Sequence, residues 1–146
     1  MSIYGVANPF PVPQVIAPTG DVTLTAGSEV LIATTAALIA PSGQDAYPFI
    51  HGTLTILFGV AASTALVIAA RFNGGADFAT YTVAPALLVN SATIQFTIFL
   101  VGSNSGANFS GAGKVVEITG KATTNAATAK QVGTSIVVGL TQGPDA

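Results

Sequence analysis

The side chains that could carry out chemistry are few and are poorly spaced for it. The chain has one histidine, His51, and no cysteine, so thiolate chemistry, disulfides and a metal site built on several histidines are excluded. No two carboxylates stand at i and i+2 on one strand face, where a general acid and base would sit together. The six are Asp21, Glu29, Asp45, Asp77, Glu117 and Asp145. We therefore predict a protein without enzymatic activity and without a cofactor.

The glycine-rich segment 102–114 has the look of a phosphate-binding loop but departs from it at two positions. Asn108 stands where the first glycine of that pattern belongs, and Val115 stands where a serine or threonine should follow Lys114. No helix signal follows the segment. We therefore predict a long loop between two strands.

Two loop aspartates, Asp45 and Asp77, leave two interpretations open. Loop carboxylates combined with backbone carbonyls form calcium sites, but aspartates also stabilise turns by hydrogen bonding to their own backbone. Arg71 is the only arginine, and it precedes the turn at 73–75. We expect it either to pair with Asp77 across that turn or to anchor an interface, where arginine is enriched.

Charge is unusually scarce for a folded domain of 146 residues. Only 7% of residues are charged, against about 25% in ordinary globular proteins, while 50% are hydrophobic. The mean hydropathy is +0.67. Such a surface must consist of small polar and apolar side chains or be covered by partners. A net charge of −2 provides no basic footprint for nucleic acid, and the hydrophobic content excludes a disordered chain.

An uncharged stretch at residues 54–70 approaches the length of a membrane-spanning helix. It is rich in β-branched residues, it has a small-residue segment near Gly59, and no cluster of lysine or arginine flanks it. These features favour two paired strands, so we expect no membrane association. The N-terminal residues also lack the basic segment and apolar run of a signal peptide, and we expect none.

Short strand signals separated by turn residues follow one another along the chain. The clearest is 93–101, where Ile94, Phe96 and Ile98 alternate with polar residues, as in a strand with one buried face. The other predicted strands are 22–25, 29–39, 50–58, 65–72, 78–83, 115–119 and 135–140. The Ala/Thr-rich segment 121–131 is compatible with a short helix or an irregular strand, and we favour the strand. Eight to ten such strands predict an all-β fold, an antiparallel β-sandwich of the jelly-roll type. We place the sandwich at residues 21–142 and a short tail at 143–146.

Residues 1–20 form a separate, proline-rich segment in this division of the chain. Prolines at alternate positions fix φ and remove backbone donors, so this segment is predicted to be an extended arm. Apolar side chains are rarely left on a free tail, and we expect the arm to lie on a neighbouring subunit. The residues assigned to that contact are Pro9, Phe10, Pro11, Val12 and Pro13.

A second candidate interface follows from the alternation of the strands. If Phe96 faces the core, then Phe99 faces outward, and Leu57 and Tyr81 are assigned to the same outer surface together with Arg71. Large apolar side chains on an outer sheet face form a patch that soluble monomers seldom expose. We expect a closed oligomer, most simply a trimer, to bury it.

The segment 65–83, which reads ALVIAARFNGGADFATYTV, and the later strand 93–100 with its Gly/Ser/Asn loop resemble small phage structural proteins. Those proteins have a jelly-roll fold like that of tumour necrosis factor, and the resemblance covers roughly residues 20–142. It implies a virion protein of the capsid decoration or cement type, located on the capsid surface. Its partners would be copies of itself, as a homotrimer, and the major capsid protein.

Two other functions remain open at this stage. The chain is either a decoration protein or the shell-forming capsid subunit itself, since both use this fold. From another class, it is a carbohydrate- or receptor-binding head domain of a fibre. The absence of tryptophan and the scarcity of tyrosine argue against a lectin-type site.

Overall fold

The computed structural model describes residues 10–41, 46–102, 109 and 112–142, and within them ten β-strands. The strands are β1 (Gln14–Ile16), β2 (Val22–Leu24), β3 (Glu29–Thr34), β4 (Ala46–Phe58), β5 (Leu66–Phe72), β6 (Asp77–Thr82), β7 (Thr93–Val101), β8 (Val116–Ala122), β9 (Ala127–Ala129) and β10 (Ser135–Gln142). One short 3-10 helix, Pro85–Leu87, precedes β7. The predicted all-β class is confirmed, and the predicted strand 93–101 agrees with β7 at both ends.

The strands form two antiparallel sheets that pack face to face. The six-stranded sheet has β4 at its centre, with β7 on one side and β10 and β9 end to end on the other, flanked in turn by β1 and β2. The four-stranded sheet has the order β3-β8-β5-β6. The first strand therefore pairs with the last, β3 with β8, β4 with β7, and β5 with β6. This nested pairing is that of a long hairpin rolled up on itself, which defines the predicted jelly roll.

The core lies between the sheets and is built by period-two alternation. In β7 the even-numbered residues Phe96, Ile98 and Leu100 are buried, while the odd-numbered residues are exposed. Apolar side chains of both sheets meet in one continuous cluster. Its largest fully buried members are Phe58, Leu24, Leu38, Ile50, Leu54, Ile56, Leu66, Ile68, Ile98, Ile118, Ile136 and Val83. Burial of such side chains is the main force that holds the two sheets together.

The uncharged stretch 54–70 is not the paired hairpin that its sequence predicts. Its first half ends β4 and its second half begins β5, and these strands belong to different sheets. The connection arches from one sheet to the other and is fastened by Ser63, whose hydroxyl accepts hydrogen bonds from the backbone N–H groups of Thr123 and Thr124. Within the described part of the chain, no helix is long and apolar enough to cross a membrane.

Strand β1 lies inside the segment that the sequence assigns to the arm. It pairs with β10 of the same chain, with Val15 opposite Val137. The side chain of Gln14 extends this attachment, because its amide oxygen accepts a hydrogen bond from the backbone N–H of Ala36 at 2.9 Å. Residues 1–9 and 143–146 lie outside the described residues, so the division into arm, sandwich and tail stays a prediction.

The closest approach of two backbones occurs where β4 and β10 meet at Gly52. A Cβ atom added there would lie 2.2 Å from the carbonyl oxygen of Ser135 and 2.7 Å from the Cα of Ile136. Both neighbours are backbone atoms of a paired strand and have little freedom to move. Only glycine therefore fits at this position of the central strand.

We expect Gly52→Ala to lower the free energy of unfolding by about 3 kcal/mol, because the added methyl forces two paired strands apart. Gly59→Ala is the matched control, since a Cβ at Gly59 meets nothing within 4 Å. Urea denaturation followed by circular dichroism measures both variants. Equal stability of the two variants would show that β4 and β10 do not pack this closely.

Candidate assembly surface

The outward side chains of β1, β4, β7 and β10 contain no aspartate, glutamate, lysine or arginine. We call this surface the uncharged face. The strand register places its residues in rows, since residues opposite each other in an antiparallel pair point to the same side. Its members are Val15, Tyr47, Phe49, His51, Thr53, Thr55, Leu57, Thr93, Gln95, Thr97, Phe99, Val101, Ser135, Val137, Gly139 and Thr141.

One row of the uncharged face is nearly all apolar. Val15 pairs with Val137, Val137 with His51, and His51 with Phe99, so the row crosses four strands. Val15 is 68% exposed and Phe99 is 66% exposed, so nothing in the described part of this chain covers them. The His51 ring stacks on Phe49 with 5.9 Å between centroids. Apolar side chains in one contiguous row differ from the scattered exposure that is common on protein surfaces, and this row is therefore the candidate assembly surface.

The N-terminal segment extends this apolar row instead of leaving the domain at once. Pro13 lies beside Gly139, and the Phe49 ring lies over the same glycine, where a Cβ would meet its Cζ at 2.6 Å. Val12 is 83% exposed. Phe10 is half-buried and packs against the core of its own chain. Pro9 lies outside the described residues.

The opposite end of the uncharged face is covered by the loop at 130–134, which joins β9 to β10. Thr55 is buried beneath it and donates a hydrogen bond to the carbonyl oxygen of Gly133 at 2.8 Å. The side-chain amide of Gln95 donates to the same oxygen at 2.9 Å. Gly133 has φ +85°, a conformation that a residue with a side chain rarely adopts. The end that carries Val15 and Phe99 is not covered by this loop.

Half of the charged residues of the molecule lie on the other side, and Asp21 and Lys130 pair with each other beside β2 and β9. The chain has four basic and six acidic residues, and five of these ten lie on the outer face of the four-stranded sheet. We call this set the charged cluster: Glu29, Arg71, Asp77, Glu117 and Lys121. The Arg71 guanidinium Nε lies 2.9 Å from the Glu117 carboxylate, and its Nη1 lies 3.5 Å from that of Glu29. One outer face of the sandwich thus carries a cluster of charges, while the outward strand positions of the uncharged face carry none.

Arg71 does not form the ion pair with Asp77 that the sequence suggests. The two residues are paired in the β5–β6 register, but the guanidinium reaches across β5 to β8 and β3 instead. A β-bulge between Ala70 and Arg71 changes the local direction of the strand at this point. The Arg71 side chain is 23% exposed and already occupied by two carboxylates, so it lies away from the uncharged face.

The carboxyl groups of the charged cluster titrate differently because their surroundings differ. A hydrogen bond from the Gly74 backbone N–H, helped by Arg71, lowers the pKa of Glu117. The Thr119 hydroxyl, which donates to Glu29 at 2.6 Å, lowers the pKa of that residue. Desolvation, followed by the hydrogen bond and negative charge of Glu29, raises the pKa of Asp77 to about 6 against the opposing effect of Arg71. Asp77 and Glu29 therefore hold a proton between them below about pH 6.

The four residues that the sequence assigns to a common sheet face are not brought together. Phe99 and Leu57 do lie on the uncharged face, six positions apart along the β4 register. Arg71 belongs to the charged cluster. Tyr81 points inward, because its ring packs against the core and stacks on Phe96 with 6.0 Å between centroids. The assembly role of these side chains stays a prediction, and the geometry favours Phe99.

The residues that sequence reasoning missed are Val15, Phe49 and Val137. Each stands at an outward position of a strand, but the apolar row exists only because three separate strands bring them beside Phe99. His51, the one histidine, is exposed within that row. Among the described residues, no group of three His, Cys, Asp or Glu side chains is placed to hold a metal ion. Asp45, one of the two aspartates considered for calcium, lies outside them.

The pairing pattern defines the molecule as a jelly-roll β-sandwich with one uncharged outer face. No protein-family model and no curated protein matches the sequence. Among solved structures, the chain is similar to Eiger TNF from S. frugiperda, with 10% identity and a TM-score of 0.48 over 94% of this chain and 95% of that one. It is also similar to a chain in a structure of the Gx strain of infectious bursal disease virus, with 12% identity and a TM-score of 0.45, covering 91% of this chain and 40% of that one.

The raised pKa of Asp77 predicts an unusual dependence of stability on pH. The folded protein binds this proton more tightly than the unfolded chain, whose value is 3.8, so the contribution of Asp77 falls as the pH rises from 3.8 to about 6. The lowered pKa values of Glu29 and Glu117 act in the opposite sense below 4.5. We expect the highest unfolding temperature near about pH 5.

Asp77→Asn removes the costly charge, and we expect it to stabilise the protein at pH 8 by about 1 kcal/mol, a small value because Asp77 is exposed and solvent screens it. At pH 4 the variant and the wild type should unfold at the same temperature. Asp21→Asn is the control, because the pKa of Asp21 is lowered by its bond to Lys130 and its loss should bring no gain at pH 8. A wild-type stability that rises steadily from pH 4 to pH 8 would contradict this assignment.

Proposed function

We propose that the chain is a non-enzymatic structural subunit of a virus particle, a capsid decoration or cement protein that acts as a homo-oligomer. The observation that supports it most is the uncharged face, with its exposed apolar row at one end. A monomer in water would gain nothing from collecting Val15, Val137 and Phe99 on one surface while its charges stand on the other. An assembly gains a dry interface on one side and a hydrated surface on the other.

The uncharged face is large enough for one contact of an assembly. Three strands across and about eight residues along, with the short β1 added, give a flat area on the order of 400 Å² per copy, about half of the roughly 800 Å² that each partner buries in a stable complex. Removing apolar area from water contributes about 25 cal/mol per Å², and no charged side chain on this face has to be desolvated. The apolar row would lie at the centre of such a contact, where binding energy is concentrated.

The proposed mechanism is mechanical. A closed homo-oligomer, most simply a trimer, would bury the apolar row among its own copies and place other surfaces on a lattice of major capsid protein. Val12, which is exposed next to β1, would extend the contact to a neighbouring subunit, whereas Phe10 packs against the core of its own chain. Many copies on the capsid surface would then resist the internal pressure of the genome.

Lysine substitutions in the apolar row test the self-association. We expect Val15→Lys and Phe99→Lys to reduce the native mass, because each puts a charge at the centre of the interface. Val60→Lys is the matched control, since Val60 is 88% exposed but lies in the connection between the two sheets. Size exclusion with light scattering in detergent-free buffer measures all three. A wild-type monomer, or equal masses for Val15→Lys and Val60→Lys, would overturn the proposal.

Electron microscopy of the purified chain separates decoration from shell formation. A decoration protein should give discrete small oligomers at all concentrations, because its lattice is supplied by another protein. Closed shells in the megadalton range would identify the shell-forming subunit instead. Specific binding on a glycan array, with an oligomer of fixed small size, would support a fibre head domain and contradict the cement role.

A further inference from the structure

Strand β7 forms one edge of the six-stranded sheet, and its backbone hydrogen-bonding groups divide cleanly between two sides. The N–H of Phe58 donates to the carbonyl of Ala92, and the N–H of Gly102 donates to that of Pro48. In an antiparallel ladder such bonds recur at every second residue, so the even-numbered residues of β7 bond to β4. The N–H and C=O groups of the odd-numbered residues point away from the sheet. These are Thr93, Gln95, Thr97, Phe99 and Val101, all exposed.

The three other sheet edges carry features that discourage pairing with another chain. Edge strand β3 begins at the charged Glu29 and has a bulge between Leu31 and Ala33. Edge strand β6 begins at Asp77, and a bulge lies in its pairing with β5. The edge made of β1 and β2 is broken into two strands of three residues with Pro18 between them. Charges, bulges, prolines and short strands are the devices that protect edges.

The β7 edge has none of these devices. It runs for nine residues, TIQFTIFLV, without charge, proline or glycine, and its register against β4 is continuous from Leu57–Thr93 to Phe49–Val101. Among the described residues, β4 is its only strand partner. An edge of this length and composition is a template for strand addition. We therefore expect a strand of another chain to pair with it.

We propose that β7 pairs antiparallel with β7 of a second copy across a two-fold axis at Thr97. The outward groups belong to odd-numbered residues, and an axis at an odd-numbered residue places odd against odd: Thr97 against Thr97, Gln95 against Phe99, and Thr93 against Val101. About ten interchain backbone hydrogen bonds result. A two-fold contact juxtaposes a surface with itself, which a charged strand would resist and an uncharged strand permits.

This contact adds a specific geometry to the proposed homo-oligomer. It rests on the proposed function only in assuming that the chain self-associates. Pairing at β7 joins two six-stranded sheets into one continuous sheet, so that the two uncharged faces merge on the same side. The outward backbone N–H and C=O groups of β7 in both copies are hydrogen-bonded by this single contact, so no further copy can add at that edge. A two-fold contact produces an even number of copies, either a dimer or two rings joined back to back.

A single cysteine tests the axis directly, because the chain contains none of its own. Directly opposed residues of a hydrogen-bonded pair have Cα atoms about 5.5 Å apart, within disulfide reach, so Thr97→Cys should cross-link two copies under mild oxidation. Thr93→Cys is the matched control: it lies on the same exposed edge, but the two cysteines would be separated by eight residues, roughly 26 Å. Cross-linking of Thr93→Cys to the same extent as Thr97→Cys would overturn the proposed register.

Thr97→Pro provides a second, independent test of the edge contact. Because the Thr97 N–H points away from β4, proline leaves the β4–β7 ladder intact and removes only an outward donor. We expect the variant to keep its β-sheet circular dichroism and to have half the native mass of the wild type. Thr53→Lys, beside Thr97 on the uncharged face but inside the sheet, separates the two contacts. Loss of association in Thr53→Lys together with an unchanged mass in Thr97→Pro would leave the face as interface and refute the edge contact.

The N-terminal arm of another copy is the competing occupant of the edge. Deletion of residues 1–9 leaves β1 in place, and under the proposed pairing the Thr97→Cys cross-link forms as before. If the deletion abolishes association and Thr97→Cys fails to cross-link in the full chain, the arm is the occupant and the two-fold pairing is wrong. If Thr97→Cys cross-links while Val15→Lys does not change the native mass, the edge contact stands without the proposed face contact.

Discussion

The structure depends on the pairing of one long central strand. β4 runs for thirteen residues. It hydrogen-bonds to β7 on one side and to β10 and β9 on the other, so the register of these three strands is set by their pairing with β4. A register slip of one residue would move each core side chain to the outside. The close fit at Gly52 allows one alignment of β4 with β10, and that alignment determines which residues form the uncharged face.

The separation of charge from apolar surface is the property that connects the fold to a structural role. Arg71 lies among three carboxyl groups on one sheet, and the arrangement keeps Asp77 protonated below about pH 6. On the uncharged face, polar side chains are limited to threonine, serine, glutamine, Tyr47 and the exposed His51. Half of the few charged residues lie on the outer face of the four-stranded sheet, where they would not have to be desolvated by a contact on the opposite face. This asymmetry supports a surface made for contact with protein rather than for chemistry.

Much of the fold was predictable from sequence because alternation is a local property. β7 was predicted at its observed ends, since Ile94, Phe96 and Ile98 alternate with the polar residues Gln95 and Thr97. The connection between β4 and β5 was predicted wrongly, because two apolar strands joined by a small-residue segment look the same whether they pair or cross between sheets. Tyr81 was assigned to the wrong side because the bulge beside Arg71 shifts the parity of the β5–β6 pairing, and no residue type announces it. The row from Val15 to Phe99 requires the pairing partners of three strands, which periodicity alone does not provide.

The pairing of the first strand with the last has a consequence for folding during biosynthesis. β1 and β10 are neighbours in one sheet although more than a hundred residues separate them, so the sheet cannot be completed until nearly the whole chain has left the ribosome. Until then β4 and β7 are apolar, uncharged strands, and one edge of β4 is unpaired. These strands are therefore open to aggregation until β10 is available to pair with β4, and a chaperone that binds apolar segments would lower that risk.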